Sequence, residues 1–347
     1  MEFFKKYAVG VLFAALLAYV SVFISKLIPY NLIGAGVFAL LIGMFLNPIV
    51  SKYQIFEKGF GFTSKKILRL AIILMGIGLS FGQVLEVGKF SLFVMLFTLV
   101  TAFGGGYLIG KLFNMNWKLS SLISAGTGIC GGSAVAAIAP VIDADESDIA
   151  YAISATFIFD VIMVILFPIM GRYFNMSDLG YGLWTGTAVN DTSSVVAAGY
   201  AFSDAAGKFS VIVKLTRTLS IVPIVLIFSY LNERLIRKAE EKTFKENGET
   251  INHTKKKVNL RKIFPWFILM FLGMVAIKST GIIPEALSQS ISSISKFLMV
   301  MSLGAIGLRT SFTKFAKSGF APMIHGFIIS ALVVVVAFLV QMAIGQI

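Results

Sequence analysis

The chain has 347 residues, 57% of them hydrophobic and only 14% charged, with a mean hydropathy of +0.87. A soluble fold of this size needs a largely polar exterior, so this composition excludes one and points to lipid as the solvent. The net charge of +13 does not indicate a nucleic-acid partner, because the basic residues sit in short loops between apolar runs, as membrane insertion requires.

Runs of about 20 apolar residues match the hydrocarbon thickness, and about eleven can be marked. They fall at 8–26, 31–50, 67–82, 89–112, 119–141, 148–170, 178–201, 208–231, 263–281, 291–308 and 319–345. Runs this long favour helices over barrel strands, so the expected class is an all-α, multi-pass membrane protein. The first run resembles a secretory signal but lacks a small-residue cleavage site, and reads as a retained helix. Placing Lys5 and Lys6 inside also puts inside Lys52, Lys58, Lys65, Lys66, Arg69, Lys111, Lys118, the stretch 232–262, Arg309, Lys314 and Lys317. The acidic loop Asp143–Asp148 and the loop around Glu285 then fall outside, which gives an N-in, C-out chain in a bacterial cytoplasmic membrane. The polar stretch 232–262 reads as a helix leaving the membrane and then a linker.

The fifth run, SAGTGICGGSAVAAIAP over 124–140, makes a poor helix interior, since each glycine costs about 1 kcal/mol against alanine. A break at Thr127–Ser133 would free N–H groups on one half-helix and carbonyls on the other. Thr127, Gly128, Cys130, Gly131, Gly132 and Ser133 are therefore candidate substrate-binding residues. The alternative is tight helix packing through small residues. In the sixth run Asp160 lies mid-span. In the seventh, Asn190, Asp191, Thr192, Ser193 and Ser194 interrupt an apolar segment. A mid-membrane carboxylate costs at least roughly 2.5 kcal/mol, so it is a functional candidate by default. Asn190, Thr192 and Ser193 join the substrate set, and Asp160 and Asp191 are candidate carriers of a coupling sodium ion or proton.

In the eighth run Lys214 and Arg217 lie three apart, on one helical face. Arg217 sits roughly 15 Å deep at 1.5 Å per residue, and Pro223 can kink the helix beyond it. These cations either pair with the buried acids as a structural cluster or face an anionic substrate, for which the planar guanidinium is suited. His325 reads as a packing histidine and His253 as solvated. No metal-ligand cluster, nucleophile–base set or nucleotide-binding motif is visible, so neither a cofactor nor an enzyme activity is expected.

Two internal likenesses are present. Met75–Ser80 resembles Gly304–Arg309, in spans expected to run oppositely. Residues 126–137 resemble 186–198, in spans expected to run the same way. One leading helix (1–30) followed by five-helix repeats at 31–175 and 176–347 would suit an inverted-repeat transporter.

The runs GTGICGGSAVAA, GTAVNDTSSVVAAG and KLTRTLSIVP resemble the sulfate exporter family of bacterial membrane proteins, over nearly the whole chain. Residues 67–170 are more distantly similar to the first repeat of bile-acid sodium symporters. That likeness implies inverted five-helix repeats with two broken, crossing helices, the second at Ser302–Thr310. The sodium-site acid of those symporters has no counterpart in Met299–Ser311, and Asn190 stands where the exporter family often has histidine. The expected function is secondary transport of a small anion (sulfate, sulfonate or carboxylate) by alternating access, with a homodimer conceivable. An anion channel or an intramembrane enzyme are the alternatives.

Overall fold

The computed structural model describes residues 2–27, 34–247, 264–310 and 320–346. His253, Lys314 and Lys317 and the linker 248–262 lie outside them. Among the described residues all regular structure is helical. Six of the helices are long and apolar enough to cross a membrane, and two shorter ones are also strongly apolar.

The helices form two groups that interleave along the chain. The first holds α1 (Glu2–Leu27), α2 (Ala35–Val50), α3 (Gln54–Phe62), α4 (Leu68–Met75), α14 (Trp266–Ser279) and α15 (Glu285–Arg309). A π-helical turn at Thr63–Ile67 joins α3 to α4, so Lys65, Lys66 and Arg69 lie on helix, where a loop was expected. Small residues let this group close. A Cβ on Gly307 would stand 2.1 Å from the Leu40 carbonyl oxygen, so α2 and α15 touch backbone to backbone. Asn47 Nδ2 donates to the Leu308 carbonyl across the same seam at 2.7 Å. Residues 302–309 continue α15 without interruption, so the second break expected at Ser302–Thr310 is absent.

The second group holds α5 (Phe81–Val100), α6 (Gly106–Leu112), α7 (Trp117–Ala125), α8 (Gly132–Ile138), α9 (Glu146–Tyr173), α10 (Asp178–Ala188), α11 (Thr192–Phe202), α12 (Asp204–Leu219), α13 (Ile221–Asn247) and α16 (Phe320–Ala343). The helix carrying Lys214 and Arg217 breaks between Leu219 and Ile221. Pro223 causes this, since it has no N–H for the Leu219 carbonyl and its ring crowds that oxygen. Helix α13 continues the polar stretch to Asn247, as its charge spacing predicts.

Candidate functional site

The segments expected as fifth and seventh spans are hairpins. Helix α7, a π-helical turn at Gly126–Cys130 and α8 enter and return at the same end of the bundle. Lys118 Nζ, at the start, donates to the Asp143 carbonyl beyond the finish, at 2.7 Å. Asn232 on α13 holds the same corner through the Val141 carbonyl at 3.1 Å. Helices α10 and α11 fold back likewise from the opposite end. Ser203 Oγ donates to Asp178 Oδ1 at 2.5 Å, Tyr181 Oη donates to the Ala198 carbonyl at 3.0 Å, and the Tyr181 and Phe202 rings stack at 4.0 Å. A straight helix would separate the end pairs Lys118–Asp143 and Ser203–Asp178 by about 37 Å at helical rise. The acidic loop Asp143–Asp148 therefore lies at the end that carries Lys118 and the polar helix α13, opposite to the expectation.

Each hairpin turns where its sequence forbids a continuous helix. Gly131 has φ +64°, a conformation that favours glycine. In the second hairpin Val189 and Asp191 are extended, and Asp191 caps α11 by accepting from Ser193 N at 2.9 Å. Ser193 Oγ donates to the same Asp191 oxygen. Density of glycine and of short polar side chains, the signal read from sequence, thus marks both tips.

The tips meet in the interior around the buried residues Asp160, Lys214, Arg217, Thr127 and Asn190. The Asp160 carboxylate accepts from Asn190 N and Asp191 N, both at 2.8 Å, as a counter-charge to the start of α11. Lys214 Nζ donates to the Val189 carbonyl at 2.9 Å. Arg217 Nε donates to the Gly128 carbonyl at 2.6 Å, and its two terminal nitrogens donate to the carbonyls of Thr187 and Thr127. Every side-chain hydrogen bond found for these two cations among the described residues is thus with a hairpin backbone. Ser330 on α16 bridges the tips, accepting from Asn190 Nδ2 at 3.2 Å and lying 3.3 Å from Thr127 Oγ1. The remaining amide oxygen of Asn190 is buried with no partner.

A cavity of about 1340 Å³ runs between the two helix groups down to the tips. The tips contribute Cys130, Gly132, Ser133, Asp191, Thr192 and Ser193, and the facing helices contribute Lys65, Lys66 and Arg69. Of the sequence-derived candidates, then, six reach the cavity. Thr127, Gly128, Asn190, Asp160, Lys214 and Arg217 stand behind the tips, and Gly131 sits against Asp191, where an added Cβ would lie 3.1 Å from the Asp191 side chain. Ser133 Oγ also donates to the Cys130 carbonyl at 2.8 Å, which fixes the tip at the cavity surface. Lys65, Lys66, Arg69 and Ser330 were missed. The spacing Lys65–Arg69, four apart beside an apolar run, was the available sign of a helical face.

At the other end the groups touch directly. Lys296 Nζ donates to Asp204 Oδ2, and Lys208 Nζ donates to the Gly78 carbonyl at 3.2 Å. A smaller cleft of about 480 Å³ lies there, against Val196, Ala197, Tyr200, Ala201 and Lys296. Helix α11 thus carries one cleft at its start and the other along its later turns.

The comparison with known proteins agrees with this membrane architecture. The family model described as "Conserved hypothetical protein 698" matches residues 9–326. A "UPF0324 membrane protein" of Clostridium tetani is 78% identical over 347 residues, covering all of both chains. The chain belongs to the UPF0324 membrane protein family. A member from Streptococcus pneumoniae serotype 4 is 38% identical with 99% of each chain covered, and one from Fusobacterium nucleatum is 36% identical with 92% covered. These relatives are themselves named membrane proteins, and the chain is a multi-pass membrane protein.

Proposed function

We propose that the chain is a secondary transporter of small anions that works by alternating access in a bacterial cytoplasmic membrane. The observation that carries this reading is the pair of hairpins entering from opposite ends, with tips meeting at the floor of a basic cavity between two helix groups. Broken backbone at membrane depth is tolerated where it lines a water-filled cavity, and there it binds solutes. Lys65, Lys66 and Arg69 on one wall and the hydroxyls of Ser133, Thr192 and Ser193 on the other suit an oxyanion such as sulfate, a sulfonate or a carboxylate. That matches the resemblance to sulfate exporters.

Basic residues set the orientation. The end holding Lys118, the polar part of α13 and Arg309 is cytoplasmic, which keeps the N-in, C-out reading with two hairpins and about nine full crossings. The cavity then opens inward. The contacts Lys296–Asp204 and Lys208–Gly78 close the outer end, and the small outer cleft is where the alternate opening forms. Hairpin and following helix recur with inverted orientation, α7–α8 with α9 and α10–α11 with α12–α13. This supports the sequence likeness of 126–137 to 186–198 as an inverted repeat, now with opposed directions.

Asp191 is the acid on the cavity surface and is the candidate proton carrier. Reconstituted protein loaded with unlabelled sulfate, sulfonates or carboxylates should take up labelled anion by counterflow. Asp191→Asn should keep exchange and lose uptake driven by a proton gradient. Flux without counterflow would make it a channel, and no flux of any of the three anion classes would sink the proposal.

A further inference from the structure

We infer that Lys214 and Arg217 are tethered cations that occupy the places where a broken-helix transporter would otherwise bind free ones, so that the hairpin tips assemble without sodium. The inference goes beyond the transport reading and concerns how the tips are held.

The two entering arms, α7 with its π-helical turn and α10, end with carbonyl groups that meet side chains of α12 in the interior. Thr127 and Gly128 present theirs from the first hairpin, and Thr187 and Val189 from the second. Carbonyl ends of half-helices at membrane depth are where cations are held. Here all four oxygens receive N–H groups from one helix, α12. Arg217 spans the gap, with Nε and one terminal nitrogen on the first hairpin and the other terminal nitrogen on the second. Lys214, one turn earlier on the same face, takes Val189. The rigid guanidinium fork suits a site with oxygens on two sides, whereas the ammonium suits a single oxygen.

The charges agree. The two carbonyl ends amount to roughly one negative charge, and the starts of the returning arms to roughly one positive charge. Asp160 and Asp191 add two negative charges beside the tips. Lys214 and Arg217 match those two, so the cluster is close to neutral with no ion bound. A free cation would find its oxygens taken and its charge already supplied. For the same reason the cluster offers no surplus positive charge to an anion, which leaves that attraction to Lys65, Lys66 and Arg69 across the cavity.

Thermal unfolding of the purified full-length chain in detergent tests this, at constant ionic strength with sodium chloride or choline chloride at about 100 mM. The wild-type midpoint should be the same in both salts. Arg217→Ala should unfold at a lower temperature, and guanidinium at about 10 mM should raise its midpoint by about 2–4 °C while leaving wild type unchanged. Lys214→Met, a milder change, should likewise respond to ammonium and not to choline. The inference is overturned by a sodium-dependent rise in the wild-type midpoint, by an Arg217→Ala midpoint equal to wild type, or by a lowered midpoint that no small cation restores in either variant. Because the readout is unfolding, it stands or fails independently of whether any anion is transported.

Discussion

Gly131 and Asp160 each hold a tip by a different means. At Gly131 the backbone adopts φ +64° and an added Cβ would press on Asp191. Gly131→Ala should cost about 1–3 kcal/mol, visible as a lowered unfolding midpoint together with loss of flux. Unchanged flux in that variant would mean that the turn tolerates another geometry. Asp160 spends both carboxylate oxygens on the two N–H groups that open the second hairpin. In Asp160→Ala those donors are left buried without a partner, a loss of about 2–4 kcal/mol for two groups. Asp160→Asn keeps one acceptor and should fall between this variant and wild type. If the asparagine variant matched alanine, the negative charge itself, beyond the hydrogen bonds, would be what α11 requires.

Among the elements, the seam between α2 and α15 is the tightest contact of the first helix group, because glycine lets two backbones meet there. Lipid offers no hydrophobic drive for helices to associate, so such close approach and the Asn47–Leu308 hydrogen bond carry the association. Gly307→Val should destabilise the protein by about 1–3 kcal/mol through overpacking, measured by thermal unfolding in detergent. It should leave the hairpin tips intact, since Gly307 faces Leu40 and Met44 of α2 and not the hairpins. Helix α12 does the corresponding work in the second group. It packs against both arms of the second hairpin, its small residues Gly207 and Ser210 against Tyr200 and Gly199, and carries Lys214 and Arg217 to the tips.

For the molecule as a whole, the two groups are joined differently at their two ends: a wide cleft at one, ion-pair and hydrogen-bond contacts at the other. Thr192→Cys in a Cys130→Ala background places a single thiol in the cavity, and on the proposed orientation a membrane-impermeant thiol reagent should reach it from the cytoplasmic side. Lys296→Gln removes the partner of Asp204, an exposed pair (side chains 41% and 67% accessible). Such pairs are worth about 0.2–1 kcal/mol, so the labelling rate at Thr192→Cys should fall by at most about fivefold as the outward state gains population. A rate that rose, or that was equal from both sides of the membrane, would contradict the inward-open assignment.

Composition and hydropathy by themselves determined the membrane class, because apolar side chains in this proportion have no other solvent. Glycine and short polar residues located both hairpin tips, because a helix built of them at that depth is unstable without a role. Pro223 located the break before α13. What sequence could not decide was whether a broken segment crosses or returns, since a half-helix of suitable polarity fits either path and only the pairing of its ends, Lys118 with Asp143 and Asp178 with Ser203, distinguishes them. Nor could it decide which partner each buried charge takes. Lys214 and Arg217 looked like substrate ligands on their own helix, and became counter-charges to backbone carbonyls only when tertiary packing brought both hairpins against α12. Lys65, Lys66 and Arg69 looked like loop charges, and became a cavity wall only because a second helix group stands opposite them.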